Sequence, residues 1–359
     1  MSRKNYLNFH QIEDMLNLSL ADDNASEDEE DIENFSEHNS DSEQSIIDEE
    51  IFETERGYDE NGMCCSDEAL SSKTLSHNII RFCAGPTLDA SDCMNTINVF
   101  KKFFTENMLE SIRVYTNQSI YRSQQNYKTA QTYNSEVQSE ELWALIGLMY
   151  LIGVSRSAHE NVLELWSTNG DGRDIFRAVM SAKRFMFLVQ NLRFDDKDTR
   201  EIRRQSDKLA AIRDLFDKFL QNCQKNYVLS ENTTIDEMLR SFRGRCGFKQ
   251  YMPKKPAKYG IKLFLICDSK TNYMFNGIVY LGKQPNEAKA KNLGQQIVEK
   301  LTHNLRSSGR NITIDNWFTS FPLTKELLLH NLTVVGTLKA NKPEIPKTFL
   351  ADREKLVSL

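Results

Sequence analysis

Two aspartates stand where strand-borne carboxylates could share a cation. Asp236 lies in Thr233-Thr-Ile-Asp-Glu-Met, and Asp315 closes Asn311-Ile-Thr-Ile-Asp, both following short β-branched runs. Carboxylates that project from adjacent strands can hold two divalent cations, which activate an attacking oxygen and stabilise a leaving one in phosphodiester chemistry. Oxygen ligands that leave room for water suit Mg²⁺ or Mn²⁺. Spacing alone leaves a second reading open, because an aspartate at a strand end also serves to form the turn.

A basic segment separates the two aspartates. Arg240, Arg243, Arg245, Lys249, Lys254, Lys255, Lys258 and Lys262 are interleaved with Phe242, Phe248, Tyr251 and Tyr259. Cations of this kind contact phosphates and aromatics stack on bases, so Arg243, Arg245, Lys254, Lys255 and Lys258 are the candidate DNA contacts. A solvated hairpin face with its aromatics in the core is the alternative. Pro253-Lys-Lys-Pro-Ala-Lys also has the composition of a nuclear localisation signal.

The elements that must carry these residues are legible from periodicity. Residues 98–227 read as helices. Ser206 is the expected N-cap of one in which Leu209, Ile212, Leu215, Phe216, Phe219, Leu220 and Cys223 form an apolar stripe. Another follows Ser139 through Trp143 and Met149, and a third runs from Ser181 through Phe185 to Leu192. Trp143 and Trp166 are expected in the core. After Ser230 the pattern changes to strands at 234–239, 261–267, 273–281, 311–314 and 333–338, with helices at 293–305 and 323–330. That order predicts a mixed sheet with helices on its faces.

Composition sets the surroundings. Residues 1–85 carry 22 acidic against 5 basic side chains; subtraction from the chain's 51 and 45 leaves 29 against 40 for residues 86–359. An acidic head on a basic body suits a protein that meets nucleic acid. The head has too few apolar residues to offset its ordering entropy, and disorder is expected over 1–85. The seven cysteines show no metal-ligand spacing, and an odd, scattered set with no signal peptide fits a reducing compartment. The apolar run at 142–154 is too short to span a bilayer, so no membrane partner is expected. His159, His303 and His330 have no evident partners in sequence and read as ordinary surface or helix residues.

Several linked motifs resemble piggyBac-type transposases, in the family's order. They are Ile235-Asp-Glu-Met-Leu, Phe242-Arg-Gly-Arg-Cys, Lys255-Pro-Ala-Lys-Tyr-Gly-Ile-Lys and Asp315-Asn-Trp-Phe-Thr-Ser, followed by the run from Val334 to Pro346. Upstream, Trp166-Ser-Thr and residues 185–196 resemble the helical region before the family's catalytic core. The resemblance covers roughly residues 99–346. After the acidic head expected to be disordered (1–85), it implies a helical dimerisation and DNA-binding region (86–230) and a partial ribonuclease-H-like mixed sheet with flanking helices (231–359), an α+β fold. It also implies metal-dependent DNA cleavage and strand transfer at TTAA targets, with Asp236 and Asp315 as the first two of three metal-binding aspartates. The expected cofactor is Mg²⁺ or Mn²⁺, with no small-molecule cofactor. The expected partner is double-stranded DNA, with a homodimer as a further option, in the nucleus.

The family's third aspartate should follow a long insertion, with a cysteine-rich zinc-binding tail later still. After Asp315 the one remaining aspartate is Asp352, in Leu350-Ala-Asp-Arg-Glu, which does not resemble that third site. The expectation is therefore a truncated, transposase-derived chain that binds cations weakly and does not cleave. A non-enzymatic DNA-binding chromatin protein is the alternative.

Overall fold

The computed structural model describes residues 83–345 apart from 94, 130, 158–159 and 283–291. The disorder expected over residues 1–82 lies outside the described residues, as do Cys64, Cys65, His159 and Asp352. The expected boundary at residue 85 falls inside a short strand: β1 (Gly85–Pro86) pairs antiparallel with β2 (Tyr227–Val228).

Between these two strands the described chain is mainly helical, and polar side chains cap several of the helices. After α1 (Leu88–Ser91), the Asn95 and Thr105 side chains accept the N–H groups of Asn98 and Met108. They open α2 (Thr96–Phe103) and α3 (Glu106–Gln124). The helix expected after Ser139 is α4 (Ser139–Val154), and short α5 (Asp174–Val179) precedes the Ser181-capped α6 (Ala182–Asn191). Asp196 caps α7 (Lys197–Arg204). Their apolar faces meet in one core that includes Met108, Ile112, Leu145, Leu148, Phe185 and Leu188, with Trp143 and Trp166 partly buried against it. Trp166 Nε1 donates to the Met180 carbonyl at 2.7 Å, so its ring nitrogen is satisfied inside that core.

The last helix of this region starts later than its apolar stripe suggests. α8 spans Arg213–Asn226, and residues 205–212 are mostly turns. Ser206 is not its cap: its hydroxyl donates back to the Arg203 carbonyl at 3.0 Å. Asp207 wins the local competition instead, accepting from Leu209 N–H and pairing with Arg213 at 2.6 Å, which holds the chain in a turn before the helix can begin.

From Asn232 onward a six-stranded mixed sheet forms. β3 (Asn232–Ser241) lies between the long antiparallel β5 (Tyr259–Asp268) and the parallel β7 (Asn311–Ile314). β6 (Met274–Val279) and the two-residue β4 (Gln250–Tyr251) both pair with β5, and β8 (Thr333–Gly336) extends the parallel side. The principal strands thus run β6–β5–β3–β7–β8, with two antiparallel pairings followed by two parallel ones. Parallel neighbours need crossovers: α9 (Leu293–Thr302) lies in the first, and α10 (Phe321–Leu329) links β7 to β8. Ile297, Val298, Leu301, Leu323 and Leu327 from these helices pack on Ile235, Phe264, Ile266, Ile312 and Ile314, forming a second core on one face of the sheet. Among the described residues no helix is long and apolar enough to cross a membrane.

Candidate active site

Register and alternation place the two aspartates together. Ile235 and Ile314 are the last paired residues of β3 and β7, so Asp236 and Asp315 follow side by side at the carboxyl end of the parallel pair. Ile235, Ile312 and Ile314 are buried against α9 and α10. Because successive residues alternate across a sheet, Asp236 and Asp315 turn to the opposite face, and both are exposed. The carboxyl ends of parallel strands are where open sheets of this type bind ligands.

The local bonding leaves most carboxylate oxygen lone pairs available. Asp236 Oδ1 accepts the Glu237 N–H at 2.7 Å. Asp315 Oδ1 accepts from Trp317 N–H at 2.9 Å and Phe318 N–H at 3.3 Å, while the Asp315 carbonyl accepts the Thr319 hydroxyl at 2.6 Å. Asp315 is therefore both a turn-former and a presented carboxylate; the two sequence readings are compatible. Among the described residues no ion pair engages either aspartate, and no third His, Cys, Asp or Glu joins them as a cation site. Mg²⁺ is usually held by one or two carboxylates with water and phosphate completing the shell, so two exposed oxygen donors fit such a cation as part of its ligand set. Cys267, on the same face as Asp236, does not compete: burial pushes its thiol up, and the Asp236 charge adds to this.

Behind the aspartates, on the helix-covered face, lies a charged group that sequence reading did not single out as internal. Lys262, counted above with the basic segment, is buried. Its Nζ sits 2.6 Å from Glu237 Oε2 and within 5.0 Å of the Phe264 ring centre, 5.5 Å of Trp317 and 5.9 Å of Tyr280. Phe264 and Trp317 stack with their planes 3° apart. Trp317 is two residues from Asp315, so this cation and its rings anchor the turn that presents the carboxylate. The one available signal was a lysine at an alternating position of the apolar run 261–267; the register that brings it near Glu237 is set by the fold.

Gly336 completes the support from the other side. A Cβ there would stand 2.6 Å from Thr319 Oγ1 and 2.7 Å from the Ile314 carbonyl, the two ends of the Asp315 turn. Gly336→Ala must therefore move backbone, and a loss of about 1–3 kcal/mol is expected in urea unfolding. Wild-type stability in that variant would show that β8 does not press on the turn.

The basic segment folds into the connection between β3 and β5. Arg243, Arg245, Lys254 and Lys258 are exposed there, whereas Lys255 is half-buried with its Nζ 3.5 Å from Glu237 Oε1. Tyr251 and Tyr259 pack on each other with ring centres 4.7 Å apart, and Lys249 lies over Tyr259. The segment is thus neither a purely solvated face nor a uniform cationic surface. Its sheet end, Ser241, is five residues along β3 from Asp236, roughly 17 Å, the rise of about five DNA base pairs. Pro253 and Lys254 of the run resembling a localisation signal are exposed in turns. Of the two described histidines, His330 pairs with Glu326 on α10 and His303 contacts Asn304.

A mixed sheet in this strand order, with carboxylates at the carboxyl end of its central parallel pair, defines a ribonuclease-H-like core. Comparison with known proteins gives the family. A family model described as Transposase IS4 matches residues 95–357, and the chain belongs to that family as a piggyBac-type transposase relative. Human PiggyBac transposable element-derived protein 2 is 24% identical over 70% of this chain and 41% of its own length. Human PiggyBac transposable element-derived protein 3 is 23% identical over 67% of this chain and 39% of its own. A cryo-EM structure of the piggyBac transposase synaptic complex with hairpin DNA matches with a TM-score of 0.70 and 37% identity, covering 76% of this chain and 56% of that one. The chain spans about two-fifths of the length of these curated relatives.

Proposed function

We propose that this chain supplies the DNA-handling and first metal-holding parts of a piggyBac-type transposase. Residues 86–230 would provide the helical dimerisation and DNA-contact region, and residues 231–359 the catalytic-core part. The observation that carries the reading is the matched register of Asp236 and Asp315 on one exposed face of the sheet. These two residues would hold Mg²⁺ or Mn²⁺. Bound there, the cation would polarise a phosphodiester for attack and stabilise the departing oxygen. Asp315 is held by its own turn and Asp236 by its strand, so both are oriented before any ligand arrives. Arg243, Arg245, Lys254, Lys255 and Lys258 would position the DNA backbone beside them, in the nucleus, where the substrate is.

A DNA-binding protein that does not cleave is the second reading. It is favoured by the absence of a third ligand beside the aspartates among the described residues. Two carboxylates alone bind a cation weakly and constrain the reacting oxygens poorly. Titration of the 359-residue chain with Mn²⁺, run beside nicking of supercoiled plasmid, separates the two. Saturable Mn²⁺ binding with nicking supports the enzyme; DNA binding without either supports the second reading.

Neutralising Arg243, Lys255 and Lys258 together is expected to weaken binding to a short duplex and to flatten its log–log salt slope by up to about 2.7, or 0.9 per phosphate contact. Lys255 contributes least if it stays with Glu237. Equal affinity with and without the three charges would reduce the segment to a solvated face.

A further inference from the structure

Trp317 links the exposed face of the sheet to the buried one. Its N–H donates to Asp315 Oδ1 at 2.9 Å, while its ring packs against the helix-covered core. Three groups hold that ring. Phe264 stacks on it with centres 5.5 Å apart, Phe318 meets it edge-on at 4.6 Å, and the Lys262 ammonium lies 5.5 Å from its centre. The start of α9 presses on the same residue: a Cβ at Gly294 would stand 3.1 Å from the Trp317 carbonyl and 3.5 Å from Trp317 Cζ3. Lys262 is fixed in turn by Glu237, 2.6 Å away, and Glu237 follows Asp236 in β3. The two aspartates on the open face are thus joined behind the sheet through Glu237, Lys262 and Trp317.

Backbone pairing alone does not fix Asp315. Ile314 is the last residue of β7 that pairs with β3 and β8, so Asp315 already belongs to the turn. Of the two turn N–H groups that aim its carboxylate, that of Trp317 makes the shorter bond. A ligand has to be held to within about 0.5 Å to keep its geometry for a cation. A ring clamped by a stack, an ammonium and a helix end supplies such a hold, whereas two like charges facing water only repel each other. We propose that Trp317 is the positioning residue of the cation site, and that the buried Glu237–Lys262 pair acts on cation binding through it. This deepens the reading above and rests on it.

The test measures the Mn²⁺ affinity of the full chain by titration calorimetry, well below the melting temperature of each variant. Trp317→Leu keeps the backbone N–H and loses the ring; it is expected to weaken binding about tenfold, the lower end for loss of a partner that orients a ligand. Trp317→Phe restores a ring against Phe264 and Lys262 and should return the affinity to within about threefold of the parent. Lys262→Met/Glu237→Leu leaves the net charge unchanged, so a change in affinity there is not a charge effect. It should weaken binding by about threefold or more, because the ring keeps its stack but loses the ammonium. Leu109→Ala opens a cavity in the separate helical core and should lower the urea midpoint while leaving Mn²⁺ affinity within about twofold of the parent. Parent affinity in either Trp317→Leu or the pair variant overturns the proposal, and so does an equal fall in Leu109→Ala, which would make the loss one of stability. Should Trp317→Leu fail to fold, the pair variant decides alone. If the parent itself shows no saturable Mn²⁺ binding, the cation reading falls and the positioning role falls with it.

Discussion

Replacing Asp236 by alanine and Asp315 by asparagine is expected to remove saturable Mn²⁺ binding from this chain while leaving its fold intact. The substitutions differ because the two side chains do different local work. Asp236 accepts one neighbouring N–H, 2.7 Å away, which water can replace at an exposed site. Asp315 caps its own turn through Oδ1, and asparagine keeps that acceptor while losing the charge. Each single substitution should lower cation affinity by more than the roughly 10–100-fold that loss of a supporting partner costs, because a ligand itself is lost. Stability should move the other way. Two like charges side by side with no ion pair repel, so removing both is expected to stabilise the cation-free chain by about 0.2–1 kcal/mol. A parent melting temperature that rises with Mn²⁺ and a variant melting temperature that does not would show both effects in one experiment. Equal Mn²⁺ titrations in parent and variant would detach the aspartates from any cation site.

The second large effect lies behind the sheet. Lys262→Ala is expected to destabilise the chain by about 3 kcal/mol, the lower end for breaking a buried ion pair, because Lys255 remains 3.5 Å from Glu237 as a partial substitute. For a folded part of about 250 residues, at about 2.1 cal/mol/K each, that lowers the melting temperature by roughly 6 °C. Lys262→Met keeps most of the buried stem and should cost less, and Lys262→Met with Glu237→Leu should recover most of the loss, since no unpaired charge then remains inside. Trp317 emission should shift red in Lys262→Ala as its stacked ring loosens. A loss below about 0.5 kcal/mol would show that the pair behaves as a surface contact.

Acid acts on the same pair. Burial pushes the Glu237 carboxyl up, but the hydrogen bond and charge of Lys262 outweigh it, and its pKa ends below the ordinary 4.5. A carboxyl whose folded pKa lies below its unfolded one stabilises fully above the unfolded value. That contribution fades as pH falls from about 4.5 through the lowered folded value. The pH dependence of unfolding below 4.5 should therefore be shallower in Lys262→Met than in the parent.

These supports explain how much of the site could be read before folding. Asp236 and Asp315 were legible because each follows a short β-branched run, and strand ends are where such residues present a carboxylate. The order of strands and helices from 231 onward was legible for the same reason: alternation and 3.6-residue spacing are local properties. The linked motifs carried the family. Ser206 misled because a hydroxyl near an apolar stripe looks like a cap, and only the Asp207–Arg213 pair shows where the turn ends.

What the sequence by itself determined, then, was the order of the principal strands and helices from 231 onward, the charge asymmetry between head and body, and the choice of the two aspartates as candidates. Only the tertiary structure decided that Asp236 and Asp315 share a face at one level of a parallel pair, and that Glu237 and Lys262 turn inward together. The reason is that side-chain direction along a strand is set by neighbours nearby in sequence, whereas which strands and helices become neighbours is set by long-range packing of the two apolar cores. A one-residue slip of β7 against β3 would leave every local signal unchanged and still send Asp315 into the core, away from Asp236.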